Sequence, residues 1–135
     1  MSFVTFGEIM LRLTPSLHAE KLQSTAEFNV NFAGSESNVA SALAVLGNQV
    51  SFVTKLPDNA LGINCIQSLN KYGIQTNNIV QGGDRIGTYF IEIGTSIRPS
   101  SVIYDRKYSA FSEISANEFD WDAIFKNKKC YLFQE

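Results

Sequence analysis

Between Ala33 and Gly62 the chain reads Ala-Gly-Ser-Glu-Ser-Asn-Val-Ala-Ser-Ala-Leu-Ala-Val-Leu-Gly, then a short apolar segment, then Leu-Pro-Asp-Asn-Ala-Leu-Gly. A small-residue helix after a glycine turn is a common pattern, open to a purely structural reading as well as to a ligand-facing one. Gly34 permits backbone angles and close approaches that a side chain forbids. Ser35 is a good helix N-cap, and Glu36 places a negative charge on the first turn. Val39, Leu43 and Leu46 recur at helical spacing, with Ala40, Ala42 and Ala44 keeping the helix slim. Gly47 stands where a helix-terminating glycine belongs. Asn38 therefore falls in the first turn, where a side-chain amide can share a helix mouth with free backbone N–H groups that welcome ligand oxygens.

The flanking segments alternate strand and helix patterns. Residues 2–7 form a short β-rich run. Residues 9–13 continue it, with Ile9, Leu11 and Leu13 on one side, Met10 and Arg12 on the other, and Pro15 as its breaker. Residues 22–32 read as a second strand, Phe28, Val30 and Phe32 alternating with Asn29 and Asn31. After the helix, residues 49–56 are apolar and β-branched. Strand, helix and strand in succession predict a βαβ crossover and a parallel sheet. Pro57-Asp58-Asn59 ends that strand and opens a helix whose apolar face is Leu61, Cys65, Ile66 and Leu69, stopped by Gly73. Residues 79–80 are a brief strand, Gly82-Gly83-Asp84 a turn, and residues 88–93 and 101–108 a strand pair. A short helix near Asn117 and a strand at 128–133 complete the pattern. The chain reads as ending inside a larger parallel fold, just past a strand.

With 135 residues there is room for one domain with its own core. A net charge of −2 gives no general pull toward nucleic acid or anionic membrane. No run is long and apolar enough to span a bilayer, and the first residues lack the features of a secretory leader, so the cytoplasm is the expected compartment. Cys65 and Cys130 sit in apolar surroundings and are expected to be buried free thiols rather than a disulfide or metal pair. The lone His18 lies in a polar connector and reads as a solvated loop residue. A P-loop is absent, because Thr88 stands where Gly82 and Gly87 would require lysine; no Gly-x-Gly-x-x-Gly and no metal-spaced His/Cys cluster occurs.

The stretch carrying Gly34, Asn38, Ala40, Gly47 and Gly62 resembles the N-terminal signature of the PfkB (ribokinase-like) carbohydrate kinases. Ala33 replaces the first glycine of the family's pair. Pro57 precedes Asp58 where many members have glycine. Leu-Pro-Asp-Asn-x-Leu-Gly is similar to the subfamily that phosphorylates 2-keto-3-deoxygluconate. The resemblance implies a parallel α/β sheet flanked by helices, with a small β lid over the sugar site. The lid falls at roughly residues 9–32 and 88–111, and the α/β core takes the rest.

It also implies site residues. Gly34 and Asn38 match positions that contact sugar hydroxyls. Tyr104-Asp105-Arg106 matches a Tyr-x-Arg strand that binds the carboxylate end of the substrate, and Tyr89 matches a tyrosine on the neighbouring lid strand. A guanidinium suits that task because it holds a carboxylate through two parallel hydrogen bonds. By residue type alone the plainer expectation for Arg106 is a solvated arginine on a sheet edge beside two partly buried tyrosines. Glu8 follows the first strand, where the family often has an acidic residue touching the sugar, but a solvated carboxylate is the plainer expectation for it. The catalytic aspartate of the family's Gly-Ala-Gly-Asp motif has no match here and is expected beyond Glu135, with the ATP pocket; ATP and Mg²⁺ are implied cofactors with no binding residues in this chain.

The resulting expectation is the N-terminal portion of a sugar-acid kinase acting on 2-keto-3-deoxygluconate with ATP. It takes a small-molecule sugar acid, neither nucleic acid nor membrane, and associates as a homo-oligomer through the β lid. A fructokinase or ribokinase-like enzyme for neutral sugars is the alternative within the family. A non-catalytic fragment or dimerisation piece is the alternative outside it.

Overall fold

A strand buried on both faces sits at the centre of the structure, a computed structural model describing residues 1–133. This strand, Gln49–Leu56, pairs in parallel with Ser2–Phe6 on one side and Ile79–Gln81 on the other. Numbered in chain order, the strands are β1 (Ser2–Phe6), β2 (Met10–Pro15), β3 (Phe28–Ala33), β4 (Gln49–Leu56), β5 (Ile79–Gln81), β6 (Thr88–Glu92), β7 (Ser101–Asp105) and β8 (Cys130–Phe133). The α-helices are α1 (Ser35–Val45), α2 (Ala60–Asn70) and α3 (Trp121–Phe125). Two four-stranded sheets result, one ordered β5-β4-β1-β8 and the other β3-β2-β6-β7. In the first, every pairing is parallel.

Period-two alternation along β4 divides the core. Val50, Phe52 and Leu56 face α1 and α2 and pack with Ala40, Cys65 and Leu69. Val53 faces the opposite way and joins Val4, Phe119 and Ile124. On that side Phe6 packs against Phe111, Phe119, Trp121 and Phe133 with ring centroids 5.5–5.9 Å apart. Burial on both faces is why β4 reads as a continuous apolar run.

Several expectations are corrected. The crossover through α1 leads into β4 from β1, not from the strand just before the helix. β3 spends its edge on β2, pairing from Met10–Ala33 to Pro15–Phe28. The proline ends β2 rather than breaking it, because β6 covers only Leu11 to Leu13 on the other edge. Residues 22–27 lie outside β3. In α1 the N-cap is Gly34, and the Ser35 hydroxyl donates to Glu36 Oε1 at 3.0 Å. Ala40 is the residue of this helix that packs fully, whereas Val39 and Leu46 are exposed. Leu61 likewise turns outward from α2. Gly47 and Gly73 do end their helices, at φ +83° and +75°. The expected helix near Asn117 is two 3₁₀ turns, Phe111–Glu113 and Ala116–Glu118, followed by α3. Cys65 is a buried free thiol, pushed up to about 12 by burial. The expectation for Cys130 falls on a side chain outside the described residues.

Candidate functional site

In the first sheet β1 has β4 on one side and β8 on the other. Parallel α/β sheets take ligands outside the carboxyl end of a strand so placed. Gly7 and Glu8 stand at that end of β1, and the chain runs from there directly into β2 of the second sheet. The two sheets therefore meet above this point.

A cavity of about 530 Å³ opens there. Gly34 and Asn38 line it from the start of α1, Tyr89 from β6, Tyr104 from β7, and Arg106 from just beyond β7. All five residues singled out from the sequence therefore share one hollow. Strand pairing explains the tyrosines: Tyr89 and Tyr104 are direct cross-strand partners, and their ring centroids lie 5.8 Å apart. Alternation sends Asp105 to the other side, where it pairs with Arg85 at 3.0 Å and is held below its ordinary range by that guanidinium. Met10, Ile91 and Val102 complete the sheet face of the cavity.

Gly34 is needed for space rather than for conformation. Its φ of −172° is extended backbone, but a Cβ would overlap the carbonyl oxygen of Glu8. The close approach of α1 to the 7–9 segment is what forms that wall.

Charge is unevenly distributed. Glu36 is buried in the first turn of α1, where its carboxylate offsets the positive end of the helix. That wall suits hydroxyl groups better than a second anion. At the opposite wall the Arg106 side chain lines the cavity and is 53% exposed. Glu8 is not the solvated carboxylate expected: it is 7% exposed, accepts a hydrogen bond from Ser109 Oγ at 2.7 Å, and lies 3.0 Å from Arg106 Nη2. Burial pushes the Tyr89 phenol above its ordinary range, and the neighbouring Arg12 guanidinium pulls the other way.

Sequence reasoning passed over Arg12, Glu36 and Ser109. Arg12 had a usable signal, since it alternates with Met10 onto the cavity-facing side of β2 and pairs in register with Tyr89. Glu36 and Ser109 had none, their burial being set by distant segments. His18 is exposed, away from this cavity. Among the described residues no group of three or more His, Cys, Asp or Glu side chains could hold a metal ion.

The sequence model of the pfkB family of carbohydrate kinases matches residues 2–133. The chain belongs to the pfkB carbohydrate kinase family. A crystal structure of 2-dehydro-3-deoxygluconokinase from Thermotoga maritima superposes on this pfkB-family chain with a TM-score of 0.96 at 49% identity, covering 98% of this chain and 40% of that one. The 2-dehydro-3-deoxygalactonokinase of Haloferax volcanii is 36% identical over 90% of this chain and 38% of its own length. The 2-dehydro-3-deoxygluconokinase of Bacillus subtilis is 31% identical over 88% of this chain and 37% of its own. The chain thus spans about two-fifths of the length of these relatives. Its parallel α/β sheet with flanking helices is the ribokinase-like fold of that family.

Proposed function

We propose that this chain is the sugar-binding N-terminal part of an ATP-dependent sugar-acid kinase, with 2-keto-3-deoxygluconate as the substrate of the complete enzyme. One observation carries the reading: Arg106, Tyr104 and Tyr89 share a cavity with Gly34 and Asn38, across from them, at the carboxyl end of β1. The dehydro-deoxy sugar acids in the names of the similar kinases are chemically what such a cavity suits. They carry a carboxylate at one end and hydroxyls at the other.

In this reading Arg106 takes the carboxylate through its free N–H groups, and Tyr104 and Tyr89 add hydroxyls and a flat wall. Asn38 and the backbone at Gly34 take the sugar hydroxyls. Held at both ends, the substrate presents its primary alcohol in one orientation, which lowers the entropic cost of reaction. ATP, when bound, supplies the phosphoryl group. The base and the nucleotide pocket belong to the remainder of the complete enzyme. The second sheet acts as a lid over the sugar, and its exposed Phe28, Val30 and Ile103 make it the surface for self-association. No helix among the described residues could cross a membrane, and we assign the enzyme to the cytoplasm.

The Glu8 carboxylate beside Arg106 favours the second reading, a kinase for neutral sugars such as fructose or ribose, since it offsets the charge that an acid would use. A substrate panel separates the two. In the complete kinase Arg106→Ala is expected to weaken binding of 2-keto-3-deoxygluconate by about 2 kcal/mol, roughly thirtyfold, since hydrogen bonds to a charged group are lost. Neutral sugars should bind as before. Equal losses on fructose and on the sugar acid would refute the acid assignment.

A further inference from the structure

We infer that Glu8 is a positioning residue for Arg106, acting through a clamp in which one carboxylate ties both ends of a single turn. The inference rests on the sugar-acid reading above and adds to it how the guanidinium is aimed. Residues 106–109 form a turn closed by the Ser109 N–H donating to the Arg106 carbonyl at 3.1 Å, with Tyr108 in the left-handed region at φ +59°. The two ends of this turn face the two oxygens of the Glu8 side chain, one through a hydrogen bond to Oε1 and the other through an ion-pair contact with Oε2, which is buried and has no hydrogen-bond partner among the described residues. Ser109 Oγ donates to Oε1 at 2.7 Å, and Arg106 Nη2 lies 3.0 Å from Oε2.

Burial is uneven across the clamp. Ser109 is 0% exposed and Glu8 7%, while the Arg106 side chain is 53% exposed. The fixed end is therefore the carboxylate and the serine, and the mobile end is the arginine. A long side chain beyond the last residue of a strand otherwise loses much rotamer entropy on meeting a ligand. Glu8 removes part of that loss in advance, while leaving other guanidinium N–H groups free. The space for the clamp is kept by Gly87, where a Cβ would overlap Glu8 Oε1. Glu8 itself is placed by the link between the two sheets, so the aim of Arg106 is tied to the position of the second sheet over the first.

The test uses the complete kinase and three variants: Ser109→Ala, Glu8→Gln and Arg106→Ala. Ser109 does not line the cavity; its Oγ donates to Glu8 and also accepts from the Ser112 N–H at 3.2 Å in the turn that carries Phe111, so the comparison with Arg106→Ala is what separates the Glu8 route from a shift of that turn. Ser109→Ala should raise KM for 2-keto-3-deoxygluconate on the order of tenfold, as misplacing a binding group does, with kcat and the KM for fructose little changed. Combined with Arg106→Ala, it should add nothing further. Side-chain NMR of the Arg106 Nε–H group, which needs no substrate, should show a rigid guanidinium in the parent protein and a mobile one in Glu8→Gln. Equal fold-losses from Ser109→Ala with and without Arg106, or an Arg106 signal unmoved by Glu8→Gln, overturns the clamp while leaving the sugar-acid reading intact. Arg106→Ala that affects acid and neutral sugars alike overturns both.

Discussion

Gly34 and Glu8 show how unequally two neighbouring wall positions register in a sequence. Gly34 stood out in the sequence as a glycine allowing either unusual backbone angles or a close approach; its backbone is extended, and the close approach is that of the Glu8 carbonyl. The residue was legible because any reason for glycine leaves the same letter. Glu8 was not, because a glutamate after a strand looks alike whether wet or dry. What buries it is Ser109, 101 residues on. Arg106, Tyr104 and Tyr89 were legible as a group only through family resemblance; local pattern alone favoured a solvated arginine. The residue-scale prediction follows from the space argument. Gly34→Ala must displace backbone rather than a flexible side chain, so it should destabilise the fold by about 2 kcal/mol, within the usual range for overpacking. Urea denaturation reads this directly; an unchanged midpoint would mean that α1 can withdraw from Glu8 without loss.

At the scale of elements, α1, α2 and the central strands were recovered, as was the pairing of β6 with β7, whereas the partner of β4 was not. β4 matched its expected bounds because a strand buried on both faces needs an uninterrupted apolar run. The partner of β4 was mistaken because nothing local says that β2 and β3 make an excursion and that the crossover starts from β1. Helix ends differ in a way that predicts different sensitivities. α1 has no side-chain cap at Gly34, whereas Asn59 caps α2 by accepting from the N–H groups of Leu61 and Gly62 at 3.0 and 3.1 Å. Asn59→Ala leaves those donors unpaired and should cost about 1 kcal/mol, as loss of an N-cap does. Asn59→Asp keeps the acceptor and should restore the stability, so chemical denaturation of the two variants together isolates the cap from any change in packing.

For the whole molecule, what matters is how the segment after β7 is held to the first sheet, because Ser109 and Phe111 near the cavity belong to it. One attachment is apolar, through Phe119 and Ile124 against Val4 and Val53. Another is polar: Lys55 in β4 pairs with Glu118 at 2.5 Å, and Glu118 also accepts from the Ser115 N–H at 2.7 Å. The Lys55 partner first, and that backbone hydrogen bond second, hold the Glu118 carboxyl below its ordinary range. A carboxyl whose folded value is depressed stabilises the fold above its unfolded value, about 4.3, and loses that contribution as pH falls through the lower folded value. Glu118 is in contact with water, so the contribution is screened and modest. Two results are therefore expected from Glu118→Gln. Near pH 7 it should lower the denaturation midpoint relative to the parent, and once the pH is well below the depressed folded value the two proteins should converge, because both then carry a neutral side chain at this position. Hydrogen exchange of residues 111–125 should rise with the first effect, since this is the segment that Glu118 ties down. A midpoint difference that persists unchanged at low pH would assign the loss to altered packing of the amide rather than to the ion pair, and would leave the apolar contacts of Phe119 and Ile124 as what anchors this segment to the sheet.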